Sequence, residues 1–198
     1  EKSTCIFCAG IAKEVSICRW VSNIGAKPAL YPTPSENRRS VGPVHEHGKE
    51  GSMKTMDQKE FARENVFGLG AENTAYAKYF IGQSYLNPLT NPESGLFLAN
   101  VTFEPGCRNN WHIHHAKKGG GQMLICTAGE GWYQEEGKAP VSLTAGTVIT
   151  IPPEVKHWHG AKKDSWFSHI AVEVPGEDTS NEWCEPVTEK EYSELEER

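Results

Sequence analysis

The chain lacks any apolar run of about 18 residues, so no segment suits a helix that spans a bilayer. It also lacks an excess of positive charge: 20 Lys and Arg stand against 26 Asp and Glu, a formal net charge of −6. A general nucleic-acid partner needs a basic face to meet phosphates, so that class is set aside. Cysteine is sparse, with six in 198 residues. That is too few for a disulfide scaffold, and the cysteines read as reduced thiols of a cytoplasmic protein. The remaining composition is ordinary. At 37% hydrophobic and 23% charged residues, the chain suits a soluble globular protein, and its length suits one domain.

Methionine is scarce too: there are three, and the first is Met53, directly after Gly51 and Ser52. Residues 1–52 carry seven Lys or Arg and five Asp or Glu, whereas the remaining 146 residues carry 13 and 21. The first segment shows no sustained helix or strand period. Residues 1–52 are therefore expected to be a leader or an extension outside the fold, and residues 53–198 the folded domain. Cys5 and Cys8 form a CxxC in that segment. Without a second CxxC, a His pair or a following βα pattern, they read as two unconnected thiols.

From Met53 to about Glu64 the residues suit a short helix or irregular lead-in, and Asn65–Leu89 suits short strands and loops. Beyond Pro92 the pattern sharpens. Gly95–Phe103 reads as a strand with Phe97, Ala99, Val101 and Phe103 on one face. Trp111–His114 reads as a short strand, and Lys117–Gly121 as a flexible, solvated, glycine-rich loop. Gln122–Thr127 and Trp132–Glu135 read as a hairpin about a turn at Ala128–Gly131. Further strands are expected at Val141–Leu143, Val148–Ile151, His157–Ala161 and Trp166–Val174. Many short strands between Gly and Pro turns predict an all-β jelly roll. Thr188-Glu189-Lys190-Glu191 is a capping box, so a short C-terminal helix should follow to about Glu197.

Six of the eight histidines fall between positions 112 and 169. His112 and His114 are one residue apart, as are His157 and His159. On a strand that spacing puts both rings of a pair on one face. Two such pairs on facing strands can converge inside a barrel, and neutral imidazole is a common ligand for first-row metals.

Gly106, five residues, then His112-Ile113-His114 resembles the start of the first cupin motif. The motif continues with Gln122, six residues, and Gly129. Gly146, Pro152 and His157 match the second cupin motif. The resemblance covers about residues 95–175 and implies a jelly-roll (double-stranded β-helix) barrel. There are departures. Gln122 stands where glutamate is usual, the spacer after His114 has seven residues, and Glu154 stands where glycine is usual. The stretches Trp111–Gln122 and Pro152–Ala161 resemble the carboxymuconolactone-decarboxylase-like cupins and the bacterial manganese-dependent cupin hydroxynitrile lyases. The decarboxylase label belongs to a different, helical domain, so it implies little about activity.

That resemblance implies a homodimer and one divalent metal on His112, His114, Gln122 and His157. Manganese is favoured, with Fe, Zn, Ni or Co as alternatives. It also implies pocket positions at Ala99, Val101, His159 and His169, with His169 matching the acid/base histidine. Glu173 stands where those lyases carry glutamine. On the face of one strand with His169, it is expected to orient that ring or raise its pKa. Phe97, Phe103, Leu124, Cys126 and Ile151 read as barrel lining, with Phe97 and Leu124 beside the pocket. Trp111 and Trp158 alternate with ligand histidines and should point away. The expected function is a metal-dependent lyase on a small hydroxy or carbonyl substrate. A non-catalytic small-molecule-binding cupin and a cupin oxygenase are the alternatives.

Overall fold

The computed structural model describes residues 56–196. The 1–52 segment, its boundary at Met53 and the Cys5–Cys8 pair lie outside the described residues. No helix among the described residues is long and apolar enough to cross a membrane.

Fourteen strands and two α-helices make up the described fold. Helix α1 (Gln58–Glu64) precedes β1 (Ala71–Glu72), β2 (Phe80–Ile81), β3 (Ser84–Pro88) and β4 (Phe97–Phe103). Next come β5 (Arg108–Asn109), β6 (His112–His115), β7 (Lys118–Gly119) and β8 (Gln122–Glu135). They are followed by β9 (Val141–Thr144), β10 (Val148–Ile151), β11 (His157–Ala161) and β12 (Phe167–Glu173). Two short strands, β13 (Gly176–Glu177) and β14 (Ser180–Trp183), lead to helix α2 (Glu189–Glu196).

Every strand pairing is antiparallel. One sheet runs β1–β3–β4–β12–β8–β10. The other places β11 between β8 on one side and β5 and β6 on the other, with β9, β14 and β2 at its margins. Strand β8 belongs to both sheets and turns the pair into a curled, jelly-roll barrel.

This corrects the expected hairpin at Ala128–Gly131. The chain does not reverse there; it bends and continues. Gly129 has φ +67°, and a β-carbon on it would fall 1.8 Å from the Trp166 carbonyl oxygen. A β-carbon on Gly131 would meet the Gly160 carbonyl oxygen at 2.5 Å. The glycines serve close approach between strands, which in sequence looks the same as a turn. A bulge sits one step earlier, since Ser168 pairs with Ala128 but His169 with Cys126.

The Lys117–Gly121 loop is corrected as well. Its side chains are solvated, but Gly119 and Lys118 pair with Gly176 and Glu177. The Gly120 N–H also donates to the Pro175 carbonyl at 3.1 Å, so the backbone is held.

Alternation along the strands places the core. Val101, Phe103, Leu124, Cys126, Ile151 and Phe167 pack together inside the barrel. Trp111 and Trp158 point the other way, against Val187, Tyr192 and Leu195 beneath α2. That helix is capped as its sequence predicts. The Glu191 N–H donates to Thr188 Oγ1 at 3.2 Å, and the Thr188 N–H donates back to Glu191 Oε2 at 2.7 Å. The Tyr192 hydroxyl then donates to the Ala161 carbonyl at 2.8 Å, which ties the helix to β11. Helix α1 covers the opposite side, where Phe61 stacks on Trp166.

The bend in β8 has a measurable consequence. Gly137 also has positive φ, yet a β-carbon there meets nothing within 4 Å. Gly137→Ala should cost only the backbone term, on the order of 1 kcal/mol. Gly129→Ala must also displace the Trp166 carbonyl and should cost more than about 4 kcal/mol. Urea unfolding of the two variants checks this, and equal losses would refute the close-approach account.

Candidate metal centre

The HxH spacing works through the pleat of β6. His112 and His114 turn inward and are buried, while Ile113 and His115 turn outward. His157 lies directly opposite His112 in the antiparallel pairing of β11 and β6. Residues facing one another in such a pair project to the same side. One ring nitrogen from each of His112, His114 and His157 therefore lies within 4.8 Å of the other two.

The protons on these rings are fixed by what stands behind them. His112 Nδ1–H donates to the Asn110 carbonyl at 3.0 Å, and His157 Nδ1–H to the Val155 carbonyl at 2.9 Å. His114 Nδ1–H donates to Glu173 Oε2 at 3.1 Å. Each Nε2 is then a bare lone pair aimed inward, the arrangement that metal-binding histidines require. Burial holds the His112 and His157 rings neutral. It pushes the His157 pKa down to about 4. His112 falls well below the ordinary value through burial first, then through the neighbouring His157 and His114.

The fourth side chain is Gln122. Its Nε2 donates to Glu173 Oε1 at 3.4 Å, which orients the amide. Its Oε1 then faces His157 Nε2 at 3.4 Å. Both of those atoms offer lone pairs. The His114 Nε2 is buried and has no hydrogen-bond partner among the described residues. Buried acceptors without donors are unfavourable, and opposed lone pairs repel. A cation at their common focus satisfies all of them at once. The residues present thus fit a divalent metal held by three nitrogens and one oxygen.

Glu173 has a different partner from the one expected. It binds His114 and Gln122 rather than orienting His169. The reason is its place on the strand. Glu173 ends β12 opposite Gln122, whereas His169 sits opposite Cys126. Four residues of strand separate them by about 13 Å. The effect on charge is substantial: a carboxylate stands directly behind a set of neutral ligands.

His169 is fully buried, and its Nε2 lies 3.2 Å from His159 Nδ1. Burial pushes its pKa down to about 4. Burial, followed by its histidine neighbours, takes His159 well below its ordinary value. The His159 and His112 ring centres are 5.5 Å apart, so His159 links the metal histidines to His169. Ala99 and Val101 face inward opposite Ala171 and His169. Leu124 adjoins Ala171, and half-buried Phe97 lies opposite Glu173. Together they line the strip from Glu173 to His169.

Several neighbours of the site were not legible in the sequence. Asn109 is buried; its Oδ1 accepts the His159 N–H at 2.9 Å, and its Nδ2 lies 3.1 Å from His159 Nε2. Trp183 pairs with His112, and their ring centres are 4.9 Å apart. Phe80 bridges Trp183 and Phe103, at 6.3 and 5.7 Å. Phe103 in turn lies 5.6 Å from His169. One wall beside the histidines is therefore aromatic. The Ser180–Trp183 strand has no apolar alternation; a lone tryptophan was its only signal.

The comparisons with known proteins agree with this fold. The family model described as the cupin domain matches residues 99–172. The (R)-mandelonitrile lyase of Granulicella tundricola is 39% identical over 127 residues, 63% of this chain and 94% of that protein. A cupin-like protein of known structure from Thermotoga maritima is 36% identical. It covers 65% of this chain and 95% of its own, with a TM-score of 0.57. The chain belongs to the cupin family. Within that family it resembles the hydroxynitrile lyases.

The carboxylate behind His114 should strengthen the site by making that imidazole a better donor. Glu173→Gln removes the charge and keeps the shape. It should weaken Mn(II) binding by about tenfold while thermal stability holds. Calorimetric titration of the two proteins checks this, and equal affinities would show that the charge is not felt at the site.

Proposed function

We propose that the chain is a metal-dependent lyase of the hydroxynitrile-lyase type, acting on a small hydroxy or carbonyl compound. The observation that carries this is the focus of lone pairs on His114, His157 and Gln122 with no donor between them, with neutral His169 one ring beyond. Such an arrangement offers a cation on one side of a substrate and a base on the other. A divalent ion held there supplies Lewis acidity that lowers the pKa of a substrate hydroxyl.

The protein's own groups do the remaining work. In the cleavage direction, His169 takes the carbinol proton. The carbinol oxygen–hydrogen pair becomes the second carbonyl bond, and the carbon–carbon pair leaves with the nitrile carbon. His169 returns the proton to that carbon, which departs as hydrogen cyanide. Addition runs through the same steps in reverse. His159 positions His169, and Asn109 positions His159. Glu173 aligns His114 and Gln122 and takes no proton. Ala99, Val101, Phe97 and Leu124 supply the apolar side of the pocket.

Manganese is favoured as the metal by the family resemblance, and the nitrogen and oxygen ligand set equally suits Fe, Co, Ni or Zn. The same resemblance supports a homodimer. The free thiols of Cys107, Cys126 and Cys184 support a cytoplasmic setting. The complete burial of His169 favours a second reading, a cupin that binds a small molecule without turning it over.

His169→Ala should lower kcat/KM for mandelonitrile cleavage by at least about 100-fold with metal content unchanged. Elemental analysis alongside the rate assay separates the possibilities. Loss of metal together with rate would make His169 a ligand. Absence of turnover by the Mn and Fe forms of the parent protein, with tight binding of the nitrile, would favour the second reading.

A further inference from the structure

Glu154 is one of two non-glycine residues with positive φ among the described residues, at +67°. A side chain with a β-carbon is disfavoured in that region, which explains why the cupin motif usually has glycine there. The backbone of this chain keeps the left-handed turn and fills it with glutamate. A residue retained against its conformational preference points to a compensating interaction.

The interaction is visible. Glu154 sits in the turn between β10 and β11, three residues before His157. Its Oε2 accepts His115 Nδ1–H at 2.6 Å, and its Oε1 accepts the Ala116 N–H at 3.1 Å. Its own N–H donates to the His114 carbonyl at 2.9 Å. His115 is held from the other side as well, because its Nε2–H donates to Glu182 Oε2 on β14 at 2.7 Å. His115 turns outward from the strand whose inward residues are His112 and His114. The clamp therefore grips the back of the strand that carries two of the site's histidines.

We propose that Glu154 is a positioning residue for the metal centre: its carboxylate ties the turn leading to His157 onto the strand that carries His112 and His114. The inference rests on the reading of those three histidines as metal ligands. The bond from the Glu154 N–H needs no side chain, so glycine would keep it. Only the two carboxylate bonds depend on the glutamate side chain. They fix the one distance that β-pairing leaves loosely set, because β11 and β6 share a single register pair, His157 with His112.

Glu154→Gly separates this role from plain stability. The substitution relaxes the left-handed turn and restores the family's usual residue. If the glutamate is an accident, the variant gains stability and binds metal as before. If the glutamate is a strut, the variant keeps or raises its Tm yet binds metal more weakly. The experiment measures Tm of the metal-free protein and calorimetric Kd for Mn(II), for the parent, Glu154→Gly and Glu154→Gln. We expect an unchanged or higher Tm for the glycine variant, with Kd raised about tenfold. Glutamine keeps an oxygen that accepts from Ala116 and should stay within about threefold of the parent. The Mn(II) electron paramagnetic resonance spectrum should broaden in the glycine variant and not in the glutamine variant.

Equal Kd for parent and Glu154→Gly would overturn the strut while leaving the metal reading intact. A lowered Tm with the same loss of affinity in both variants would also overturn it, since that pattern marks general loosening of the fold. A parent protein that binds no Mn(II), Fe(II) or Zn(II) would remove the metal reading, and the strut with it.

Discussion

The structure turns on where three imidazole protons are kept. An imidazole that has lost water must either hydrogen-bond through both nitrogens or find a cation for the bare one. In this chain the Nδ1 protons all point outward into acceptors: two backbone carbonyls and one carboxylate. The Nε2 lone pairs are thereby driven together. The backbone acceptors lie two residues before His112 and His157, at Asn110 and Val155, so the same local turn geometry sets both tautomers. The third acceptor, Glu173, comes from a different strand and couples the site to the rest of the barrel. Much of the architecture serves to keep those acceptors in place.

The ligand set carries no formal charge, but its surroundings do. Four neutral donors would leave a divalent ion bound there with its full charge. Glu173 contacts two of those donors, so it offsets that charge from one bond away. This differs from a carboxylate in direct contact with the metal. A direct carboxylate would favour the higher oxidation state and occupy a coordination position. Glutamine in the candidate ligand set with glutamate behind it would leave the position to an amide and supply the negative charge indirectly. The substitution of Gln122 for the usual glutamate and the glutamate at 173 are thus two halves of one arrangement, linked by the 3.4 Å hydrogen bond between them.

The parts of this site legible in the sequence are those governed by strand period. Inward-facing His112, His114, His157 and His159 follow from alternation, as do inward Ala99 and Val101 and outward Trp111 and Trp158. The capping box of α2 is likewise local, spanning the four residues Thr188 to Glu191. What the sequence hid depends on pairing between distant segments. The partner of Glu173 is 59 positions away, and an equally plausible partner, His169, lies on its own strand. Trp183 meets His112 only because β14 docks at the edge of β6, and four mixed residues give no sign of that. Gly129 and Gly131 carry the composition of a turn. Only the nearness of the Trp166 and Gly160 carbonyls shows that they serve packing instead.

One strand would set the scale of the proposed reaction. His157 and His159 are alternate residues of β11 and share a face, with their ring centres 6.1 Å apart. The first belongs to the metal histidines, and the second touches His169. The pleat therefore fixes how far the candidate metal focus lies from the proposed proton-transfer group, without any loop to adjust it. A substrate that reaches both must present a hydroxyl and its reacting carbon within a few ångströms of each other, as a simple carbinol does. Because the spacing is built into a strand paired on both edges, it cannot stretch to fit a longer substrate. Larger molecules would have to place their bulk elsewhere, and Trp183, Phe80 and Phe103 close the barrel on that side with rings in mutual contact.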